Sequence, residues 1–166
     1  TAPTEPTVPT APTQPAEPSP EPTPSGPWYQ AAMDFARDHG ILVGDASGDM
    51  LPGNNAPRAQ MAAMLVRVFG CTVGKDITHF SDVDAAAWYY PELSAAAQMN
   101  IFSGCGDGTM GPDRNINRQE AMSVIARAFA VADGTAADIA AFSDASAVSD
   151  WAVASVAGLV KAELNK

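Results

Sequence analysis

Apolar residues recur with helical period in two stretches of this chain. Between residues 57 and 69, Met61, Met64, Leu65 and Val68 fall at i, i+3, i+4 and i+7, and Ala121, Val124, Ile125 and Ala128 repeat that phase. Each set predicts one buried helical face. Fully burying such aliphatic side chains contributes roughly 1.5–3 kcal/mol apiece, enough to dock each helix, so the methionines read as core. A shorter helix is predicted ahead of each stretch. The first runs from Pro27, at the first helical position after Ser25 and Gly26, to about His39, with Gly40 ending it in the left-handed conformation. The second opens at Trp88 with Pro91 in its first turn and ends near Asn100, which stands where Gly40 does. A last helix is predicted from about Asp150, as N-cap, to the chain end, where Glu163 breaks the Gly/Asn pattern. Residues 131–141 form a connector with room for one short helical turn.

Long turns rich in Gly, Asp, Asn and Pro join the helices of each pair, and their register exposes an internal repeat. A constant offset of 60 residues relates Trp28 to Trp88, Ile41 to Ile101, Gly44 to Gly104, Gly48 to Gly108, Pro52 to Pro112, Arg58 to Arg118, Arg67 to Arg127 and Phe69 to Phe129, without a gap. A third copy begins at Phe142-Ser143-Asp144, echoing Phe80-Ser81-Asp82, and continues through Trp151. The domain is therefore expected over 27–166, with unit one at 27–70, unit two at 79–130 and a partial unit three at 141–166.

The two copies differ at the start of their second helix. Asn117 can accept from the amide of Glu120 while Glu120 reaches back, a capping box whose cap residue is typically worth ~1 kcal/mol. Pro57 cannot do this, so Asn54, Asn55 or solvent is expected to satisfy the free amides there.

Composition divides the chain. Residues 1–26 hold most of the fourteen prolines, interleaved with Thr, Ala and Glu, and no aromatic residue, Lys or Arg. Such a segment buries too little apolar surface to offset its ordering entropy and reads as a disordered, extended Pro/Thr-rich linker. A spacer implies covalently linked cargo at its other end, so a longer gene product is expected. No signal peptide is recognisable, and no run approaches the roughly 18 apolar residues of a membrane span. A net charge of −10 with nine scattered basic residues argues against nucleic acid.

Candidate chemistry is sparse. Cys71 and Cys105 could form one disulfide in an oxidising compartment or sit as two buried thiols, and they show no zinc spacing. Asp45, Ser47 and Asp49 have the alternate spacing of a calcium loop, but Met50 replaces its glycine and Ala56 its final carboxylate, which disfavours a calcium-dependent docking module. His39 and His79 lie in no catalytic motif. Glu92 and Glu120 could be imagined as a glycosidase pair, but the repeat assigns Glu120 to capping. The sequence reads as non-catalytic, with no cofactor or metal implied.

Phe80-Ser81-Asp82-Val83, Trp88-Tyr89-Tyr90-Pro91, Ile101-Phe102-Ser103-Gly104, Gly106-Asp107-Gly108-Thr109-Met110, Pro112 and Ile116-Asn117-Arg118-Gln119-Glu120 together resemble one complete unit of the S-layer homology (SLH) family, whose hallmark is an I-T-R-A-E helix start. The resemblance covers nearly all of residues 27–166. It implies an all-α, pseudo-threefold set of helix–loop–helix repeats whose inter-unit grooves bind acidic, commonly pyruvylated, secondary cell-wall polysaccharide and hold a bacterial surface protein on the extracellular wall. Carried over by position, it points to Arg118, then Arg58, with Trp88 and Trp151 as aromatic candidates and Asp82, Asp144 and Asp107 as weaker ones. Bottom-up, a first-turn arginine beside free helix amides suits a carboxylate. Against that, Arg58 could equally pair with acids of a neighbouring unit, the tryptophans' place at helix starts favours a core role, and Asp82 and Asp144 could simply cap turns. Unit one lacks the F-S-D opening and has Ala56-Pro57 for Ile-Thr, so one intact groove is expected beside degenerate ones. A protein–protein assembly module of the cell surface is the alternative.

Overall fold

The computed structural model describes residues 26–163 apart from Ala46; the linker expected over 1–26 lies, Gly26 excepted, outside the described residues. Among the described residues the chain is all-α, with five helices: α1 (Gln30–Asp38), α2 (Arg58–Phe69), α3 (Tyr90–Gln98), α4 (Arg118–Ala128) and α5 (Asp150–Lys161). Short 3-10 turns occupy Ala136–Ile139, inside the connector where one was expected, and Ala145–Ala147. None of the helices is long and apolar enough to cross a membrane.

The helix ends follow local chemistry with three corrections. α1 starts at Gln30 and not at Pro27, and α3 at Tyr90 and not at Trp88, because the Pro27 carbonyl accepts from the Gln30 amide at 2.8 Å and the Ala87 carbonyl from the Tyr90 amide at 3.1 Å, each closing a turn first. Ser149, not Asp150, is the N-cap of α5. Its amide donates to Gln119 Oε1 at 3.0 Å and its hydroxyl accepts from Gln119 Nε2 at 3.1 Å, so contact with α4 sets where the helix begins. Gly40, Asn100 and Glu163 all take positive φ at their helix ends, 65°, 59° and 58°, so Glu163 keeps the geometry despite its side chain.

The third correction concerns α2, whose first amides go to neither Asn54, Asn55 nor solvent. Arg58 N donates to the Arg114 carbonyl at 2.9 Å and Ala59 N to the Pro112 carbonyl at 3.0 Å, while Ile116 N returns a bond to the Ala56 carbonyl at 3.0 Å. The backbone of the second unit's turn thus performs the capping that Pro57 cannot. At α4 the capping box forms as expected, with Glu120 N on Asn117 Oδ1 at 3.0 Å and Asn117 N on Glu120 Oε2 at 3.1 Å.

The buried positions of α2 and α3 are mostly small residues. Leu65 and Val124 of the expected stripes are buried, but Met61, Met64, Ile125 and Ala128 are half-buried and Val68 is exposed. The most covered positions are Ala59 and Ala62 on α2 and Leu93, Ala95, Ala96 and Ala97 on α3, alanines and one leucine where α2 and α3 pack together. Ile77, Ile101, Phe102 and Met110 fill the space beside them. A second cluster, Met122, Ala126, Ile139, Ala152, Val156 and Leu159, joins α4 to α5. α1 contributes no buried residue.

Candidate functional site

The glycine turn of unit two is held from three sides. Asp82 clasps it from the F-S-D segment, receiving the amides of Met110 at 2.8 Å and Gly111 at 2.7 Å on its two carboxylate oxygens. Asp107 closes it internally, accepting from Thr109 N at 3.0 Å and Thr109 Oγ1 at 2.6 Å, and those bonds hold its carboxyl below the usual range. From unit one comes Arg58, only 6% exposed, which donates through Nε to the Met110 carbonyl at 3.0 Å and through Nη2 to the Ser103 carbonyl at 3.1 Å. Its guanidinium lies 5.2 Å from the Phe102 ring centroid and 4.0 Å from Glu120 Oε1. Burial lowers its pKa, and arginine remains a cation in that setting.

Against this turn lies a groove of about 160 Å³, walled by Arg58, Ser103, Gly104, Cys105, Arg114, Glu120, Arg127 and Trp151. Arg114 grips Glu120 through both Nη atoms, at 2.7 and 3.3 Å, and its Nη2 stands 3.6 Å from the Cys105 thiol. Burial alone would raise the Glu120 carboxyl, yet Arg114, the Asn117 amide and the charge of Arg58 outweigh it and hold the group below its ordinary value. Arg114 is pushed up in turn, chiefly by its hydrogen bond to Glu120.

A larger groove, about 610 Å³, repeats this one in unit one. Gly44, Asn54, Gln60, Met64, Arg67 and Trp88 line it where Gly104, Arg114, Glu120, Val124, Arg127 and Trp151 line the other. Arg67 Nη1 donates to the Ile41 carbonyl at 3.2 Å and Arg127 Nη1 to the Ile101 carbonyl at 3.4 Å, the same bond in each copy.

The family described as "S-layer homology domain" matches residues 23–62 and 79–122. The chain belongs to the S-layer homology domain family. It is 32% identical over 121 residues to the surface-layer 125 kDa protein of Lysinibacillus sphaericus, covering 73% of this chain and 10% of that one. The cellulosome-anchoring protein of Acetivibrio thermocellus is 31% identical over 88 residues, 51% of this chain and 20% of its own. The exoglucanase XynX of the same organism is 26% identical over 137 residues, 81% of this chain and 12% of its own. The chain thus spans about a tenth to a fifth of these relatives. The S-layer homology module is a cell-surface, wall-associated anchoring unit and not itself a catalytic one.

Within this module the candidates from sequence separate into four places. Arg58 and Trp151 meet in the 160 Å³ groove, and Trp88 lines the 610 Å³ one. Exposed Arg118, the first residue of α4, shares a third cleft of about 440 Å³ with Asp144, Phe142 and Val148. Asp82 and Asp107 share a notch of about 280 Å³ with Cys105 and Arg114. The core role expected of the tryptophans is corrected: Trp88 is 59% and Trp151 54% exposed. In unit two Tyr89, the next residue, is the buried one, with the Trp88 ring edge-on to it at 5.9 Å. The reading of two buried thiols is corrected too, because Cys71 is half-buried and Cys105 exposed.

Sequence reasoning missed Arg114 and Arg127 as groove walls. Arg127 carried a usable signal, its repeat partner Arg67. Arg114 was visible only as a departure from the repeat, replacing Asn54.

Proposed function

We propose that this module anchors a bacterial surface protein by binding acidic, pyruvylated secondary cell-wall polysaccharide in its inter-unit grooves, with cargo linked beyond the N-terminal Pro/Thr-rich segment. The observation that carries this reading is the 160 Å³ groove, where the exposed Trp151 stands beside three guanidinium groups and one carboxylate. An indole presents a flat apolar face to the C–H face of a sugar ring, and arginine forms charge-assisted, fork-shaped bonds to carboxylate. Net charge of −10 opposes an acidic polymer at a distance. Screening over about 8 Å at physiological salt confines that repulsion and leaves local charge in the groove to decide. Arg118 and Asp144, in the neighbouring cleft, form a second contact in this reading.

The test is co-sedimentation with purified walls before and after their secondary polymer is removed. Binding to intact walls and loss on stripped walls is expected, with Trp151→Ala and Arg118→Ala each weakening retention far more than Lys161→Ala. Equal retention by stripped walls overturns the proposal. It would favour the second reading, a protein-docking module, for which the apolar lining of the Arg118 cleft by Phe142, Val148, Val156 and Val160 is the supporting observation.

A further inference from the structure

We infer that the two repeat-related grooves accept sugars of different charge: the groove beside Trp151 selects an acidic substituent through Arg114, and the groove beside Trp88 does not take one. This rests on the saccharide reading above and assigns its charge selectivity.

The argument is a comparison at matched positions. Beside Trp88 the charged walls are Asp45, Asp49 and Arg67, two carboxylates and one guanidinium. Asp45 Oδ1 accepts from Ser47 N at 2.9 Å and Asp49 N at 3.0 Å, so it shapes the turn while keeping its negative charge at the groove. Beside Trp151 the matched positions are Cys105, Thr109 and Arg127, and unit one adds Arg58 across the unit boundary. Asn54 becomes Arg114. The single carboxylate, Glu120, is held by the Asn117 amide and by Arg114. The balance is therefore three cations to one anion in one groove and the reverse sign in the other.

Among the three guanidiniums, Arg114 is the one placed to discriminate. Arg58 is buried against the Met110 and Ser103 carbonyls, and Arg127 reaches the Ile101 carbonyl. The Arg114 side chain is 46% exposed, and Glu120 fixes the plane of its guanidinium. Of its five N–H donors, the bonds to Glu120 and the thiol use three, which leaves Nε–H and one Nη1–H on opposite edges of the plane, each able to take a single oxygen of a ligand carboxylate. Orientation before binding reduces the ordering cost of capturing an anion.

The experiment follows the indole N–H resonances of Trp88 and Trp151 in the whole chain during titration with a methyl hexopyranoside carrying a 4,6-O-(1-carboxyethylidene) ketal, and with its methyl ester. The acid is expected to shift Trp151 and leave Trp88 in place, with the ester about tenfold weaker at Trp151, the scale of one charge-assisted contact. Arg114→Gln should remove that acid-over-ester preference, Arg114→Lys should restore part of it, and Arg67→Gln should change nothing at Trp151. Equal shifts of both indoles by the acid, or an unchanged preference in Arg114→Gln, overturn the inference. Silence of both indoles while walls still retain the chain through their polymer overturns the inference and leaves the anchoring reading standing. Polymer-independent retention instead removes the reading beneath it.

Discussion

Arg58 Nε and the Met110 carbonyl, 52 residues apart in sequence, meet at 3.0 Å across the boundary between two repeats. The bond joins the first turn of α2 to the glycine turn of unit two, and the second bond, to Ser103, completes a clamp. Truncating this side chain leaves two carbonyls without their donors and removes the cation from the Phe102 face. Arg58→Ala is therefore expected to lower unfolding free energy by ~2–4 kcal/mol, and Arg58→Lys to recover only part, since an ammonium cannot span both carbonyls in one plane. Denaturant titration reads both.

Glu120 ties capping to pH. Its carboxyl is depressed in the folded state, so its contribution is complete above the ordinary glutamate value of about 4.3 and is lost as pH falls through the lower folded value. Unfolding curves between pH 6 and 3 should show the parent chain losing more stability than Glu120→Gln over that interval. At pH 7 the substitution should cost roughly 0.5–1 kcal/mol, as a partly exposed ion pair does. A steeper loss in Glu120→Gln than in the parent contradicts the assignment.

Gly104 is required by close approach. A Cβ there would lie 2.3 Å from Phe80 Cε1 and 2.9 Å from the Thr109 carbonyl oxygen. Gly104→Ala should destabilise by about 1–3 kcal/mol through forced displacement of the F-S-D segment. At Gly53 a Cβ meets nothing within 4 Å and φ is not positive, so Gly53→Ala should be neutral or slightly stabilising. Thermal melts of the pair separate local crowding from a general intolerance of alanine in these turns.

The thiols should titrate separately. Cys105 is exposed beside the Arg114 guanidinium, and half-buried Cys71 points its thiol at the Val73 carbonyl at 3.5 Å. A water-soluble disulfide reagent should modify Cys105 first and Cys71 slowly, and both at one rate after unfolding. Prior reduction should leave the native titre unchanged.

Much of this was legible in the residues. The helical phase of α2 and α4, the capping box at Asn117 and the left-handed end at Gly40 follow from interactions within four or five positions, and the repeat shows directly as matching residues at a constant offset of 60. The exposed tryptophans were not legible, because an aromatic residue at a helix start reads the same whether it turns toward the core, as Tyr89 does, or away, as Trp88 does. The share of alanines in the packed face was also hidden, since periodicity weighs large apolar residues.

By itself the sequence determined the helices and their order, because helix hydrogen bonds and the capping box at Asn117 are closed by near neighbours, and its ordered motifs marked the family. Only the tertiary structure decided that Arg58 is a clamp, that the turn of unit two caps α2, and that Arg114, Arg127 and Trp151 share one groove. Those contacts pair groups dozens of residues apart, and which donor reaches which carbonyl depends on how α3 seats on α2 and α5 on α4.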